Sequence, residues 1–197
     1  MSLRQQQKTN TRTKIKTIAK HAFLSQGIEA TSTRHLSDQA GIAVGTLFVH
    51  FPDKLSLVKD IFFDEMDAAL RVAVVAQKVS ASPIDYLLQM AQVLFDFYDE
   101  YAEFTRQVLL DSLATGGFHT KQMAVISDGI VKRFKQVGVD EKTASIFAEN
   151  MLANYWFVLL TGMPNNLLGE AAVAHLNRMN LPFEMSYRNA LKHHKSS

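Results

Sequence analysis

Cysteine is absent from the 197-residue chain, and long apolar runs are absent as well. Without thiols the chain cannot form disulfide bonds, thiolate metal sites or a cysteine nucleophile, and it suits a reducing compartment. No stretch reaches the roughly 18 to 20 consecutive apolar residues that a membrane-spanning helix needs. The basic N-terminus is not followed by the apolar segment of a secretory signal. We therefore expect a cytoplasmic protein with no membrane partner.

Acidic residues are missing from the beginning of the chain. The first of them is Glu29, whereas six Lys or Arg residues lie at or before Lys20. The net charge of the whole chain is only +2, but residues 1–54 hold eight basic and three acidic residues. A positive head on a mildly negative body indicates contact with a polyanion. A solvated basic tail is the alternative interpretation of the same pattern.

Proline is scarce. The pattern of apolar residues is helical almost throughout and no alternating strand pattern occurs, so the sequence predicts an all-α fold. Only four prolines occur in the chain. Apolar residues recur at helical spacing between Ile15 and Phe23, which predicts a first helix with one buried face. Asn10 or Thr11 can cap the start of this helix, and Gly27 can end it.

Two short helices are predicted next, on either side of a glycine. The first covers about residues 32–40, and the second covers Val44–Phe51. Gly41 fits the tight reversal between them, because glycine adopts positive φ without a steric penalty. Pro52 ends the second helix, since proline disfavours helical geometry in the residue before it.

Longer helices are predicted for the rest of the chain. Their expected bounds are Lys54–Val79, Pro83–Tyr101 with a continuation to Thr115, Thr120–Val137, Glu141–Gly162 and a last segment from about Leu167. Ser82 and Asp140 are the expected caps of two of these helices. Pro182 is expected to interrupt the last segment, which leaves the role of residues 182–197 open.

The stretch AGIAVGTLFVHFPDK, residues 40–54, carries a recognisable pattern. An Ala-Gly pair precedes a short helix that contains Gly-Thr-Leu and an aromatic residue, and a His-Phe pair and a lysine follow. The pattern resembles the TetR family of transcriptional regulators, and the similarity covers about residues 12–62. The matching positions are Ala40, Gly41, Gly45, Thr46, Leu47, His50, Phe51 and Lys54.

This resemblance implies a domain organisation. Residues 9–62 are expected to form a three-helix, helix-turn-helix DNA-binding head. A long helix is expected to join this head to a helical bundle, residues 63–197, for effector binding and dimerisation. A short helix fits the major groove of B-DNA, which is about 12 Å wide. The predicted DNA-binding residues are Ser32, Thr33, Ala43, Val44, Gly45, Thr46, Phe48, Val49, His50 and Lys54.

Phosphate contacts are expected at both edges of this segment. Ser32 and Thr33 lie at a helix start, where hydroxyl and backbone N–H groups can donate to a phosphate. His50 and Lys54 are expected to reach phosphates of the flanking strand. The alternative role for His50 is a capping or packing histidine.

Three positions depart from the family pattern. Members of the family often carry Ser, Lys and Tyr where this chain has Ala43, Val44 and Phe48. We therefore expect either more apolar base contacts or a modest affinity of each head for DNA. The basic run Arg4–Lys20 is expected to compensate by lying along the phosphate backbone or in a minor groove.

The second half of the chain is rich in large apolar side chains. The resemblance implies an internal effector cavity among the middle helices, and such sites are mostly apolar. The effector is therefore expected to be a small hydrophobic or aromatic molecule. The alternative is that most of these rings form packed core. The candidate lining residues are Phe95, Tyr98, Phe104, Phe118, His119 and Trp156.

Together with these features, the resemblance implies a homodimeric repressor that binds double-stranded DNA at a near-palindromic operator. No enzyme is expected, because the sequence shows no Ser-His-Asp spacing, no phosphate-binding glycine loop and no helix with metal-ligand spacing. No cofactor and no metal ion are expected either. Two alternatives stay open, namely a DNA-binding structural factor without an effector and an all-α ligand carrier.

Overall fold

Helices account for all regular secondary structure in the computed structural model, which describes residues 2–76, 81–115, 120–163 and 168–196. The nine α-helices of these residues are α1 (Leu3–Gln26), α2 (Thr33–Ala40), α3 (Val44–His50), α4 (Lys54–Val75), α5 (Pro83–Glu100), α6 (Ala102–Thr115), α7 (Thr120–Lys135), α8 (Glu141–Gly162) and α9 (Glu170–Ser196). The all-α prediction is therefore confirmed. The expected end of the fourth helix at Val79 lies outside the described residues.

The chain folds as two compact units. The N-terminal unit comprises the described residues up to Glu65 together with Tyr101–Thr115. The C-terminal unit comprises Met66–Glu100 and the described residues from Thr120 onward. The assignment of residues 9–62 to DNA binding and of residues 63–197 to effector binding and dimerisation stays a prediction.

The core of the N-terminal unit is formed by one face of α1 and by the two short helices. Ile15 and Phe23 of α1 are 1% exposed, and Leu36 of α2 and Leu47 of α3 are equally inaccessible. Burial of such side chains contributes about 1.5 to 3 kcal/mol each. The two short helices are too short to be stable alone, so this shared core is what fixes their position.

Helix α1 begins earlier than the sequence analysis predicted. It starts at Leu3, and the Ser2 hydroxyl caps it by accepting a hydrogen bond from the Gln5 backbone N–H at 3.3 Å. The caps expected at Asn10 or Thr11 were wrong, because the run of Arg, Gln and Lys after Leu3 has a good intrinsic helix propensity. This first part of α1 is exposed.

Helix α6 belongs to the N-terminal unit, although the sequence analysis assigned it to the C-terminal bundle. The ring of Phe104 packs edge-to-face against Phe23 of α1, with centroids 5.9 Å apart. Phe104 is 2% exposed. The interaction is long-range in sequence, so the local apolar pattern of α6 could not reveal it.

The C-terminal unit is a helical bundle built from α5, α7, α8, α9 and the end of α4. Ser82 caps α5 as predicted, since its hydroxyl accepts from the Asp85 N–H at 3.1 Å. Asp140 caps α8 as predicted, with its carboxylate accepting from the Thr143 N–H at 3.0 Å. Both caps satisfy backbone donors that a helix start leaves without an internal partner.

The last helix continues through Pro182, so the predicted interruption was wrong. Proline removes one backbone N–H and normally breaks or kinks a helix. Aromatic contacts hold the following turns in the bundle, with Phe183 against Phe147 at 5.4 Å and Tyr187 against Phe134 at 6.1 Å. Tertiary packing thus overrides the local preference of the proline.

Candidate nucleic-acid interface

The reversal between α2 and α3 is built as the sequence predicted. Gly41 has φ 64° and ψ 37°, the left-handed conformation that glycine adopts most readily. Its N–H and that of Ile42 donate to carbonyl groups in the last turn of α2. The short helix α3 therefore leaves the turn at a fixed angle, with Leu47 buried against the core.

The outward side of α3 carries most of the predicted base-contacting residues. Val49 is 74% exposed, Phe48 is 44% exposed and Val44 is 36% exposed. Ala43 is the exposed N-cap residue and makes no capping hydrogen bond, as its methyl side chain predicts. Gly45 is exposed as well, and apart from the backbone of its own helix nothing lies within 4 Å of where a side chain would begin. Thr46 is half-buried.

Ser32 and Thr33 lie at the start of α2, as predicted. The Ser32 hydroxyl accepts a hydrogen bond from the His35 backbone N–H at 3.1 Å and still has its own proton to donate. The first backbone N–H groups of a helix have no acceptor within the helix, and the helix dipole favours an anion there. The start of α2 is therefore chemically suited to a phosphate.

His50 ends α3 with its ring half-buried. Burial of the ring, followed by the nearby charges of Arg12 and Lys8, lowers the pKa of His50 below its ordinary value. Its Nδ1 atom is buried and has no hydrogen-bond partner. This environment favours the neutral ring, and the predicted phosphate contact of His50 stays a prediction.

Lys54 has an intramolecular role that the sequence analysis missed. Its Nζ donates to the backbone carbonyl of Ile28 at 2.9 Å, and the carbonyls of Glu29 and Thr31 lie 3.4 Å away. The ammonium group thus holds the turn between α1 and α2. No local sequence pattern indicates this contact, because the turn lies more than 20 residues earlier in the chain. The predicted phosphate contact of Lys54 stays a prediction and would compete with these carbonyls.

Half of the basic run Arg4–Lys20 is paired within the N-terminal unit. Arg12 and Lys16 each lie 3.0 Å from the carboxylate of Asp60, and Lys20 lies 2.7 Å from that of Glu65. The side chains of Arg4, Lys8 and Lys14 are exposed. Of the six basic residues in this run, Arg4, Lys8 and Lys14 can therefore contact a polyanion without breaking one of these ion pairs.

Comparisons with known proteins agree with this geometry. A family model described as bacterial regulatory proteins, tetR family, matches residues 17–61. The HTH-type transcriptional repressor KstR2 of Rhodococcus jostii is 32% identical over 92 residues, which make up 45% of this chain and 45% of that protein. An HTH-type transcriptional regulator of Staphylococcus aureus is 29% identical, over 54% of this chain and 80% of the relative.

A solved structure extends the comparison to the whole fold. The crystal structure of a tetR-family transcriptional regulator from Streptomyces coelicolor has a TM-score of 0.62 and covers 100% of this chain and 90% of its own. Its sequence identity is 13%, so this likeness is one of fold. Residues 17–61 therefore resemble the tetR family, and the described part of the chain shares its fold with the Streptomyces coelicolor regulator. It spans less than half the length of KstR2.

Two of the predicted effector-lining residues are buried in the C-terminal unit. Phe95 is 0% exposed and its ring stacks on Tyr155 with centroids 5.5 Å apart. Tyr98 is 2% exposed, and its hydroxyl accepts a hydrogen bond from the Tyr155 hydroxyl at 3.1 Å. Burial raises the pKa of both phenols. Both rings therefore contribute to the packing of the bundle, and their predicted place in an effector cavity stays a prediction.

The remaining candidates are divided between the two units. Trp156 is half-buried beside Tyr155, at 5.8 Å between ring centroids. Phe104 lies in the N-terminal unit against Phe23, so its predicted place in the effector-binding bundle is corrected. Phe118 and His119 lie outside the described residues.

A groove of about 470 Å³ lies in the C-terminal unit between the end of α4 and the start of α7. Leu70, Val74, Val75 and Val125 form its apolar part. Gln122 donates to the Asp67 carboxylate at 2.9 Å, while its own Oε1 atom is buried without a hydrogen-bond partner. The sequence analysis missed this groove, because valines at helical spacing are more often core.

Other site chemistries find little support in the described part of the chain. Those residues contain no group of three or more His, Cys, Asp or Glu side chains placed to hold a metal ion. No described helix combines the length and the hydropathy that crossing a membrane would require.

Proposed function

We propose that this protein is a DNA-binding transcriptional repressor of the TetR family. It acts as a homodimer on a near-palindromic operator and is released by a small apolar effector. The observation that carries the proposal is the asymmetry of α3, whose inward residue Leu47 is 0% exposed while Val49 is 74% exposed. A short helix that is anchored on one side and open on the other has the shape that enters a major groove.

Dimerisation is supported by apolar side chains on the surfaces of α8 and α9. Ile146, Phe157 and Leu160 of α8 and Leu181 and Met185 of α9 are between 38% and 67% exposed. An apolar surface on two adjacent long helices favours association with a second copy. A two-fold dimer presents two α3 helices to one duplex, which is why the operator is expected to be nearly palindromic.

The groove between α4 and α7 is the proposed effector site. Its valines and Leu70 suit an apolar ligand, and the buried Oε1 atom of Gln122 suits one hydrogen-bond donor on that ligand. Helix α4 continues from one unit into the other, so it is the proposed lever by which an effector changes the separation of the two heads.

The DNA-binding part of the proposal is tested by selection. The full-length protein is mixed with randomised duplexes, and the bound duplexes are sequenced after several rounds. Enrichment of an inverted repeat, with an affinity that falls as salt rises, is the expected result. Failure to enrich any sequence, without salt-dependent binding, would favour the ligand-carrier alternative.

The effector part is tested on the selected duplex. Small apolar compounds are screened for displacement of the protein, which is measured by fluorescence anisotropy. Val125→Trp fills the groove and is expected to abolish displacement without changing the affinity for DNA. Val72→Trp, on the exposed side of α4 and outside the groove lining, is the matched control. Displacement by no compound would favour a structural factor without an effector.

A further inference from the structure

The outward side of α3 is apolar, although the residues of α3 that belong to the core lie on its other side. Val44, Phe48 and Val49 are exposed, whereas Leu47 and the adjoining Phe51 are 0% and 1% exposed. Leu47 and Phe51 already occupy the side of α3 that faces the core. The exposed residues lie on the opposite side, where the N-terminal unit does not cover them. One exposed phenylalanine and two exposed valines within seven residues form an apolar patch of the kind that marks an interaction site.

The same helix lacks the side chains that read purines by paired hydrogen bonds. Its sequence VGTLFVH contains no Lys, Arg, Asn, Gln, Asp or Glu. Guanine is usually read by Arg or Lys, and adenine by Asn or Gln. The polar side chains that remain are those of Thr46, which is half-buried, and His50.

The surroundings of the apolar side identify the partner as DNA rather than an apolar protein groove. The Arg12 guanidinium donates a hydrogen bond to the His50 backbone carbonyl, and the exposed Lys8 is near enough to His50 to act on its charge state. Positive charge therefore lies at the His50 end of α3, with Lys8 exposed and Arg12 also paired with Asp60. A major groove has the complementary layout, with phosphates along its edges and thymine methyl groups on its floor.

We propose that the protein selects its operator chiefly through thymine C5-methyl groups, which Val44, Phe48 and Val49 contact in the major groove. This inference rests on the proposed DNA-binding function and adds the chemical feature that the protein reads. The C5-methyl of thymine is the apolar group among the base edges of the major groove. Each half-site is therefore expected to contain thymines at fixed positions.

The size of the effect follows from burial of a methyl group. One buried methyl contributes about 0.8 kcal/mol, which corresponds to a change in affinity of about fourfold. Two contacted thymines in each of two half-sites would together separate operator from random DNA by roughly a hundredfold or more.

The test uses the selected duplex and replaces its thymines by deoxyuridine one at a time. Deoxyuridine lacks the methyl group but keeps the O4 acceptor and the pairing with adenine. At the contacted positions the affinity of the full-length protein is expected to fall about fourfold. At the other thymines no change is expected.

Variants of α3 assign the contact to its residues. Val49→Ala and Phe48→Ala each shorten a side chain that is expected to contact a thymine methyl group. At the thymine that the shortened side chain contacted, replacement by deoxyuridine is then expected to cause no further loss of affinity. Val72→Ala, a valine of α4 that is 71% exposed, is the matched control and should keep the full penalty.

Two results would overturn the inference while leaving the proposed function intact. The first is a wild-type protein that prefers its selected duplex but tolerates deoxyuridine at every position. The second is a penalty that Val44→Ala, Phe48→Ala and Val49→Ala all leave unchanged. If no duplex is selected over random DNA, the proposed function fails and the inference fails with it.

Discussion

Glu103 of α6 accepts a hydrogen bond from the backbone N–H of Ile28, in the turn between α1 and α2, at 2.8 Å. One turn further along α6, the Gln107 side-chain amide donates a hydrogen bond to the Glu29 carboxylate at 2.9 Å. Lys54 holds the carbonyl side of the same turn. The position of α2, and through Gly41 that of α3, therefore depends on side chains of α4 and α6 as well as on the local sequence.

Removal of the Glu103 carboxylate is expected to destabilise the N-terminal unit. Glu103→Ala should lower the free energy of unfolding by about 1 to 3 kcal/mol, because it leaves a partly buried N–H without its acceptor. Glu103→Gln keeps an acceptor oxygen and should lose less. Urea unfolding followed by circular dichroism measures both. The exposed Arg106→Ala on the same helix is the control, and equal losses in Glu103→Ala and the control would contradict the prediction.

Lys54→Met keeps most of the aliphatic stem and removes the ammonium group. The protein is expected to melt at a lower temperature even without DNA, since the carbonyl groups of Ile28 and Thr31 lose their donor. The cost is about 1.5 to 3 kcal/mol, typical for a hydrogen bond that involves a charged group. Differential scanning calorimetry of the free protein measures it. An unchanged melting temperature together with weaker DNA binding would instead make Lys54 a phosphate ligand alone.

Asp60 makes the stability of the N-terminal unit depend on pH. Burial opposes ionisation of this carboxyl, but its hydrogen bonds with Lys16 and Arg12 outweigh burial and lower its pKa. A lowered folded-state pKa stabilises the fold above the ordinary carboxyl pKa of about 3.9, and this stabilisation is lost as pH falls through the folded-state pKa.

Asp60→Asn is therefore expected to be less stable than the wild type at neutral pH and equally stable in acid. Urea midpoints of the two proteins, measured from neutral pH down through about pH 3, should converge at the acid end. Asp38→Asn, at an exposed position of α2, is the control. A gap that stays constant over the whole range would show that the ion pairs do not cause it.

The exposed start of α1 is expected to add affinity without sequence preference. Deletion of residues 2–10 removes Arg4 and Lys8, and it should weaken binding to selected and random duplexes by the same factor. The slope of log affinity against log salt should fall by about 1 to 2, as expected for one or two lost phosphate contacts. Unchanged affinity would make this segment a solvated extension. Arg4→Gln with Lys8→Gln separates loss of charge from loss of the helix.

Local patterns predicted the short elements around α3 well, because their causes are local. Gly41, Pro52 and the apolar spacing of Leu36 and Leu47 are enough to define two helices and a reversal. The same kind of reasoning failed at Pro182, where aromatic packing decides the conformation. It also failed for Phe104, whose partner Phe23 lies about 80 residues earlier in the chain.

The candidate interface was predictable in its position and less so in its chemistry. The sequence shows which residues follow the reversal, and the resemblance assigns them to DNA. It does not show that Lys54 is occupied by backbone carbonyls or that Arg12 and Lys16 are held by Asp60. Pairings of this kind depend on how α1 and α4 lie together, which no local pattern encodes.

The affinity of two matched valine variants for the selected duplex tests the central claim most directly. Val49 and Val72 are 74% and 71% exposed, and both lie on helices, so replacement by Asp should leave the fold intact in each case. A carboxylate at residue 49 would face base edges and phosphates. Val49→Asp is therefore predicted to weaken binding to the duplex at least about thirtyfold. Val72→Asp is predicted to bind the duplex like the wild type. Equal affinities of the two variants would contradict the account, because α3 could then not be the element that enters the groove.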